Sequence, residues 1–205
     1  MISIVDYKMG NIKSIENALS FLGVDYKIVN SKEEILNSEK IILPGVGSFK
    51  QAMQNIKEMN MYDAIREVAI DKKIPILGIC LGMQLLADSS QENGVSKGLG
   101  LISANVHKLT TKDEKVKIPH VGFNTVFHEN GGSLFHGLKG STDFYFVHSY
   151  HFIANEQECL SSYSIHGEKF TASVQKENIY GTQFHPEKSQ ANGLRVLKNF
   201  VELEG

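Results

Sequence analysis

Cysteine is scarce in this chain: only Cys80 and Cys159 are present. Two thiols cannot make a disulfide framework, so a stapled secreted scaffold is excluded. Apolar runs are short, such as Ile41-Ile42-Leu43 and Ile76-Leu77, far below the roughly 20 residues of a membrane span. Neither sign of charge dominates. A net charge of −2 gives no global electrostatic case for nucleic acid or an anionic membrane, and neither is expected as a partner. The opening residues Met1-Ile2-Ser3-Ile4-Val5-Asp6 lack a basic n-region and a small-residue cleavage site, so no secretory signal is read. Both thiols are therefore expected to be reduced, in the cytoplasm. Repeats, low-complexity tracts and long linkers are missing. So is any Cys/His cluster with zinc-ligand spacing, and neither a metal nor another cofactor is expected.

What is present reads as an ordinary soluble domain. Hydrophobic residues make up 41% and charged residues 21% of 205 positions. One domain over residues 1–205 is expected, large enough to bury roughly 70% of its unfolded surface. The first half alternates strand-like and helix-like segments. Strands are read over residues 2–5, 26–29, 40–43 and 74–79. Between them, Ile12, Ile15, Leu19 and Leu22 recur at helical spacing. Ser31 with Glu34 forms a capping-box pattern, and one helical stretch is read over 48–71. A β-α-β-α order with continuous apolar strands predicts an α/β fold. Its central sheet is mixed but mostly parallel, flavodoxin-like, and flanked by helices. The second half is strand-rich, over 116–127, 143–147, 160–165, 170–175 and 179–184, giving additional antiparallel strands. A final amphipathic helix is read over 190–203. Residues 88–100 and 129–140 are the most loop-like.

Two motifs carry chemistry. Gly78-Ile79-Cys80-Leu81-Gly82 has the form G-x-C-x-G at a strand-to-helix turn, a nucleophile elbow with cysteine in place of serine. The sulfur would sit above a helix N-terminus, whose dipole favours anions. The Leu81 N–H would face a developing oxyanion. A buried thiol between two packing glycines accounts for the motif in isolation equally well. The second motif is Gln183-Phe184-His185-Pro186-Glu187, after the last strand. Residues i and i+2 of extended backbone point the same way, so His185 and Glu187 emerge together. A base to deprotonate the thiol and a carboxylate to orient that base are what thiol catalysis requires. Both motifs fall at strand C-terminal ends, where open α/β sheets keep their reactive groups.

These motifs resemble those of the class I, triad-type glutamine amidotransferases. The likeness is greatest to the glutaminase subunits of imidazole glycerol phosphate synthases. Six segments run in family order: Asp6-Tyr7-Lys8-Met9-Gly10-Asn11, Pro44-Gly45-Val46-Gly47-Ser48-Phe49, residues 78–84, Pro119-His120-Val121-Gly122-Phe123-Asn124, Tyr145-Phe146-Val147-His148-Ser149-Tyr150, and residues 181–189. The resemblance implies that L-glutamine acylates Cys80, with His185 and Glu187 completing the triad. It implies an oxyanion strand at Gly45, Val46 and Gly47, where a peptide near Val46 must turn its N–H inward. Glycines on both sides permit such a flip at little steric cost. Gln84, Ser149 and Tyr150 match substrate-binding positions. Ammonia would pass to a separate (β/α)8-barrel cyclase in a heterodimer that makes imidazole glycerol phosphate and AICAR in histidine biosynthesis. Asn11, Pro119, Phe123, Asn124 and Lys188 would lie on the docking face, although Phe123 fits core packing as well.

Two positions depart from that pattern. Phe123 stands where many members have Trp, and Lys8 where many have Gly. Both lie in segments tied to the partner, so they leave the acceptor open. An ammonia supply for a sugar amidotransferase of surface-polysaccharide biosynthesis is the alternative. A stand-alone cysteine hydrolase acting on γ-glutamyl peptides and a non-catalytic binding module are two further readings. His148 and His151, three apart in strand-like sequence, are expected on opposite faces. His107, His120, His128, His136 and His166 read as scattered surface or hydrogen-bonded side chains. Cys159 reads as an inert packed thiol.

Overall fold

Four apolar runs are buried along most or all of their length: β1 (Ile2–Val5), β3 (Lys40–Leu43), β4 (Ile76–Ile79) and β13 (Ile179–Thr182). Strands with cover on both faces show this pattern. The computed structural model describes residues 1–128 and 132–203. In it these runs form the middle of a nine-stranded sheet of order β2-β1-β3-β4-β13-β12-β11-β8-β9. The remaining strands are β2 (Tyr26–Val29), β8 (His120–Phe127), β9 (Ser141–His148), β11 (Leu160–His166) and β12 (Glu168–Lys176). From β2 to β13 neighbours are parallel. From β13 to β9 they are antiparallel. The expected mixed α/β sheet is therefore present.

Helices α1 (Ile12–Phe21) and α6 (Gln190–Glu202) pack Ile15, Leu19, Val196 and Phe200 against one face. Helices α2 (Lys32–Leu36), α3 (Phe49–Glu58), α4 (Tyr62–Ile70) and α5 (Leu81–Leu85) contribute to the core on the other. Each fully buried Ile, Leu or Phe side chain contributes roughly 1.5–3 kcal/mol of transfer free energy. The capping box forms: the Ser31 hydroxyl accepts the Glu34 N–H at 3.3 Å. No helix among the described residues is long and apolar enough to cross a membrane.

The structure corrects several sequence expectations. The helix read over 48–71 is two helices, broken at Asn60, whose φ is +57°. The strand read from residue 116 begins at His120, after Pro119, which has no N–H to give a ladder. A second sheet of order β10-β7-β5-β6 was not expected. It comprises β5 (Ser89–Ser90), β6 (Ser96–Lys97), β7 (Ala104–Lys108) and β10 (Tyr150–Ala154). Two of its strands lie inside the loop-like 88–100 stretch. Of the 129–140 stretch, residues 129–131 lie outside the described residues, and Ser133–Phe135 is a 3-10 turn.

One register feature sets up the site. Leu43 pairs with Gly78, and Ile79 with Thr182. The C-terminal ends of β3, β4 and β13 therefore lie side by side. The segments that follow them are Pro44 to Gly47, Cys80, and Gln183 to Glu187.

Candidate functional site

Cys80 joins β4 to α5 with φ +54° and ψ −107°, a conformation that L side chains rarely adopt. Its N–H donates to the Thr182 carbonyl at 2.7 Å. The flanking glycines have a steric reason. A Cβ on Gly78 would lie 2.6 Å from the Gly82 oxygen, and one on Gly82 would overlap the Leu43 carbonyl. The turn therefore closes directly onto the end of β3. The thiol is 6% exposed. It donates weakly to the Val147 carbonyl at 3.8 Å and receives the Gln183 amide at 3.8 Å.

His185 is fixed by its main chain before its ring is considered. Its N–H donates to the Tyr145 carbonyl at 2.8 Å. The Ser189 hydroxyl donates to its carbonyl at 2.6 Å and accepts the Tyr145 N–H at 2.9 Å. Beside it, Phe184 stacks on Phe144 at 4.1 Å between centroids. The ring Nδ1 meets Glu187 Oε1 at 2.8 Å, with side chains 1% and 2% exposed. Burial works against the imidazolium, but the charge and hydrogen bonding of Cys80 and Glu187 outweigh it. The pKa is pushed up to about 10. Nε2 is buried and makes no hydrogen bond of good geometry, yet Cys80 still acts on the ring's proton affinity. The two groups share one electrostatic neighbourhood.

The Gly45–Val46–Gly47 segment lies against the elbow. A Cβ on Gly45 would come 2.9 Å from Leu81 Cβ and 3.0 Å from the Gly82 nitrogen. The Tyr7 hydroxyl donates to the Pro44 carbonyl at 2.5 Å; burial, with Cys80 close by, pushes the phenol pKa up. The Val46 N–H donates to the Met9 carbonyl at 3.3 Å, and Gly47 has φ +100°. Leu81 opens α5, so its N–H has no intrahelical acceptor.

A cavity of about 450 Å³ collects these segments. Val46, Gly47, Cys80, Leu81, Gln84, Ser149 and Tyr150, all singled out from the sequence, line it. His185, Glu187 and Gly45 are not among its lining residues. Pro119, read as a docking residue, lines it too. Gln84 Nε2 donates to the Tyr150 carbonyl at 2.9 Å and to Gln183 Oε1 at 3.0 Å. A larger cleft of about 690 Å³, beside His151, Tyr163 and Lys169, contains no thiol. Chemistry, not size, selects the smaller one. Among the described residues, no group of three or more His, Cys, Asp or Glu side chains could hold a metal.

The five residues read as a docking face divide. Asn11 and Pro119 are exposed, and Asn124 and Lys188 are half-buried. Phe123 is 52% exposed, so it is a surface ring and not core. It meets Tyr145 edge-on at 5.6 Å, and the Lys188 ammonium lies 5.9 Å from the same ring. Val121 and Ile165 are exposed as well and fall on the Phe123 face by register.

Some residues escaped sequence reading. Glu92 lines the cavity and accepts the Phe49 N–H at 2.7 Å; nothing in its loop-like surroundings marks it. His148 and His151 are not opposite faces of one strand, because β9 ends at His148 and β10 begins at Tyr150. Nor are the histidines all scattered: His120 contacts His148 and stacks on His166. Cys159 is buried beside Glu156.

The class-I glutamine amidotransferase family model matches residues 3–203. A Moorella thermoacetica protein named imidazole glycerol phosphate synthase subunit HisH is 46% identical over 202 residues, covering 98% of this chain and 94% of its own. A Methanocaldococcus jannaschii protein of the same name is 44% identical, covering 99% of this chain and all of its own. Two Methanococcus maripaludis proteins, named imidazole glycerol phosphate synthase subunit HisH 1 and HisH 2, are each 44% identical, covering 99% and 98% of this chain and 100% and 99% of their own. Among solved structures, one described as a glutamine amidotransferase has a TM-score of 0.77 at 20% identity, with 98% of each chain covered. PurLQS from Thermotoga maritima has a TM-score of 0.74 at 18% identity, with 98% of this chain and 96% of its own covered. At those identities the likeness is one of architecture.

Proposed function

Because the chain belongs to the class-I glutamine amidotransferase family, we propose that it is the glutaminase subunit of an imidazole glycerol phosphate synthase. It hydrolyses L-glutamine and hands ammonia to a cyclase subunit in histidine biosynthesis. The observation that carries the chemistry is a strained cysteine elbow beside a buried His185–Glu187 pair. Family membership and the relatives' names carry the pathway.

The steps follow from the groups present. The Cys80 thiolate attacks the glutamine side-chain carbonyl carbon, and the carbonyl electron pair moves onto oxygen. The Leu81 N–H and a peptide N–H of the Gly45–Val46–Gly47 segment receive that oxyanion. The Val46 N–H now bonds Met9, so this second donor requires the peptide to turn. As the C–N bond breaks, the imidazolium of His185 protonates the departing nitrogen and ammonia leaves. Water, deprotonated by neutral His185, attacks the thioester and frees glutamate and the thiol. Glu187 keeps the ring oriented and supports its charged form. Gln84, Ser149, Tyr150 and the Glu92 carboxylate line the space for the substrate's α-carboxylate and α-ammonium.

The barrel architecture of the partner belongs to this proposal, as do docking through Asn11, Pro119, Phe123, Asn124 and Lys188 and a cytoplasmic location. The exposed apolar side chains of Val121, Phe123 and Ile165 support a protein partner on that face. A second reading keeps the glutaminase and changes the acceptor to a sugar; Phe123 and Lys8, which depart from the family pattern at partner-linked positions, favour it. One experiment tests both. With the cyclase partner and its acceptor, Cys80→Ala should abolish glutamine-dependent synthesis and leave ammonium-dependent synthesis intact. Loss of both would make the cysteine structural. Synthesis by neither protein form with that cyclase would refute the histidine assignment.

A further inference from the structure

Between the surface amide of Asn124 and the thiol of Cys80 runs an unbroken chain of hydrogen bonds. Asn124 Oδ1 accepts the Thr125 N–H at 2.8 Å, which fixes how the amide is turned. Its Nδ2 donates to the Ile165 carbonyl at 2.8 Å and to His120 Nε2 at 3.2 Å. An Nε2 that accepts forces the proton onto Nδ1. His120 Nδ1 is 3.0 Å from His148 Nε2, and His148 Nδ1 is 2.9 Å from the Tyr150 carbonyl. A carbonyl only accepts, so His148 carries its proton on Nδ1 and receives the His120 proton at Nε2. Asn124 at one end and a carbonyl at the other thus determine both tautomers. The second partner of the Tyr150 carbonyl is Gln84, which continues to Gln183 and so to Cys80.

The chain crosses a weak point in the architecture. β9 belongs to the nine-stranded sheet and β10 to the four-stranded one, and Ser149 alone separates them. Ladder pairing with β8 and β7 fixes the two sides independently. The His148 ring spans the joint, and His120, its cross-strand partner, holds that ring to β8. Both rings are more than nine-tenths buried. His120 lies between Phe146 at 4.7 Å and His166 at 4.0 Å, stacked on each. Burial holds the pKa values of His120 and His148 down at about 4 and about 3, so the relay is uncharged at neutral pH.

We propose that His120 and His148 are positioning residues for glutamine: their paired rings lock the Tyr150–His151 peptide and, through its Tyr150 carbonyl, Gln84. This rests on the reading of the Cys80 cavity as the glutamine site. A packing role alone would require shape but not a donor on Nδ1.

Two measurements test it. In ¹⁵N NMR of the histidine-labelled chain at neutral pH, both residues should be neutral and protonated on Nδ1. An Nε2-protonated or charged form of either overturns the relay. In the complex with the cyclase partner, His120→Leu should raise KM for glutamine about tenfold with kcat within about threefold, the signature of lost binding. His120→Asn, whose amide nitrogen reaches the Nδ1 position, should recover most of that loss. The same split is expected for His148→Phe against His148→Asn. Folded Leu and Phe variants with wild-type KM, or Asn variants no better than these, overturn the positioning role alone. A wild-type complex that releases no glutamate from glutamine overturns the glutaminase reading and this role with it.

Discussion

Replacing Glu187 by glutamine tests the electrostatic logic of the site with almost no change in shape. Glu187 Oε1 holds His185 Nδ1 at 2.8 Å, and both side chains are at most 2% exposed. A hydrogen bond to a charged group contributes roughly 1.5–3 kcal/mol. At about 1.36 kcal/mol per pKa unit, that is one to two units. The basic limb of kcat/KM, set by an imidazolium that titrates at about 10, should therefore move down to roughly 8–9. The rate should fall as well. Glu187 Oε2 is buried without a hydrogen-bond partner, so an amide NH₂ in that place would be stranded. Buried carbonyl oxygens tolerate lost partners better than N–H groups. The amide will therefore turn its NH₂ toward Nδ1 and favour the wrong tautomer. A loss of about 10⁴-fold accompanies that error in a serine triad. Glutamate release by the assembled complex from pH 6 to 11 measures both effects. A fall of less than about tenfold with the basic limb unmoved would refute the supporting role of the carboxylate. Stability gives an independent sign. A raised histidine pKa stabilises the fold fully below the unfolded value of about 6.5 and loses that effect as pH climbs through about 10. The cost of Glu187→Gln in urea unfolding should accordingly be larger at pH 6 than at pH 10.5.

Gly82→Ala would drive a methyl group into the Leu43 carbonyl. It should cost more than about 3 kcal/mol or prevent soluble expression, read by urea unfolding. Lys8 adopts φ +67°, a conformation that glycine takes without steric cost. Lys8→Gly should raise stability by about 0.5–1 kcal/mol, a shift of about 1–4 °C in Tm. If the docking face proposed above is right, Phe123→Asp should weaken the cyclase complex at least about tenfold by calorimetry, since a half-exposed aromatic ring there is what an interface buries. The isolated chain should lose no more than about 1 kcal/mol.

Which parts of the molecule could be read beforehand follows from where the information sits. The strands β1, β3, β4 and β13 are legible because burial on both faces makes each a continuous apolar run. The elbow is legible because two glycines flank a thiol at fixed spacing, and each glycine answers to a local clash: Gly78 with the backbone of Gly82, and Gly82 with the Leu43 carbonyl. By contrast, β5 and β6 are two residues each and polar; pairing alone makes them strands. The break at Asn60 carries no glycine or proline, and Met59 and Met61 on either side continue the apolar pattern. Residues 120 and 148 are 28 apart, so their ring pair exists only once β8 and β9 are in register. The expectation for His148 and His151 failed because period-2 reasoning assumes one strand, and the chain changes sheets between them. The Val46 peptide marks a deeper limit. Glycines at 45 and 47 announce that it can turn, but its present direction is set by the Met9 carbonyl from a different segment. A bond of 3.3 Å is a weak hold. It can yield to a competing acceptor that lies closer, such as an oxyanion on a substrate bound at Cys80. Sequence records the freedom of that peptide, and tertiary structure records only one of its positions.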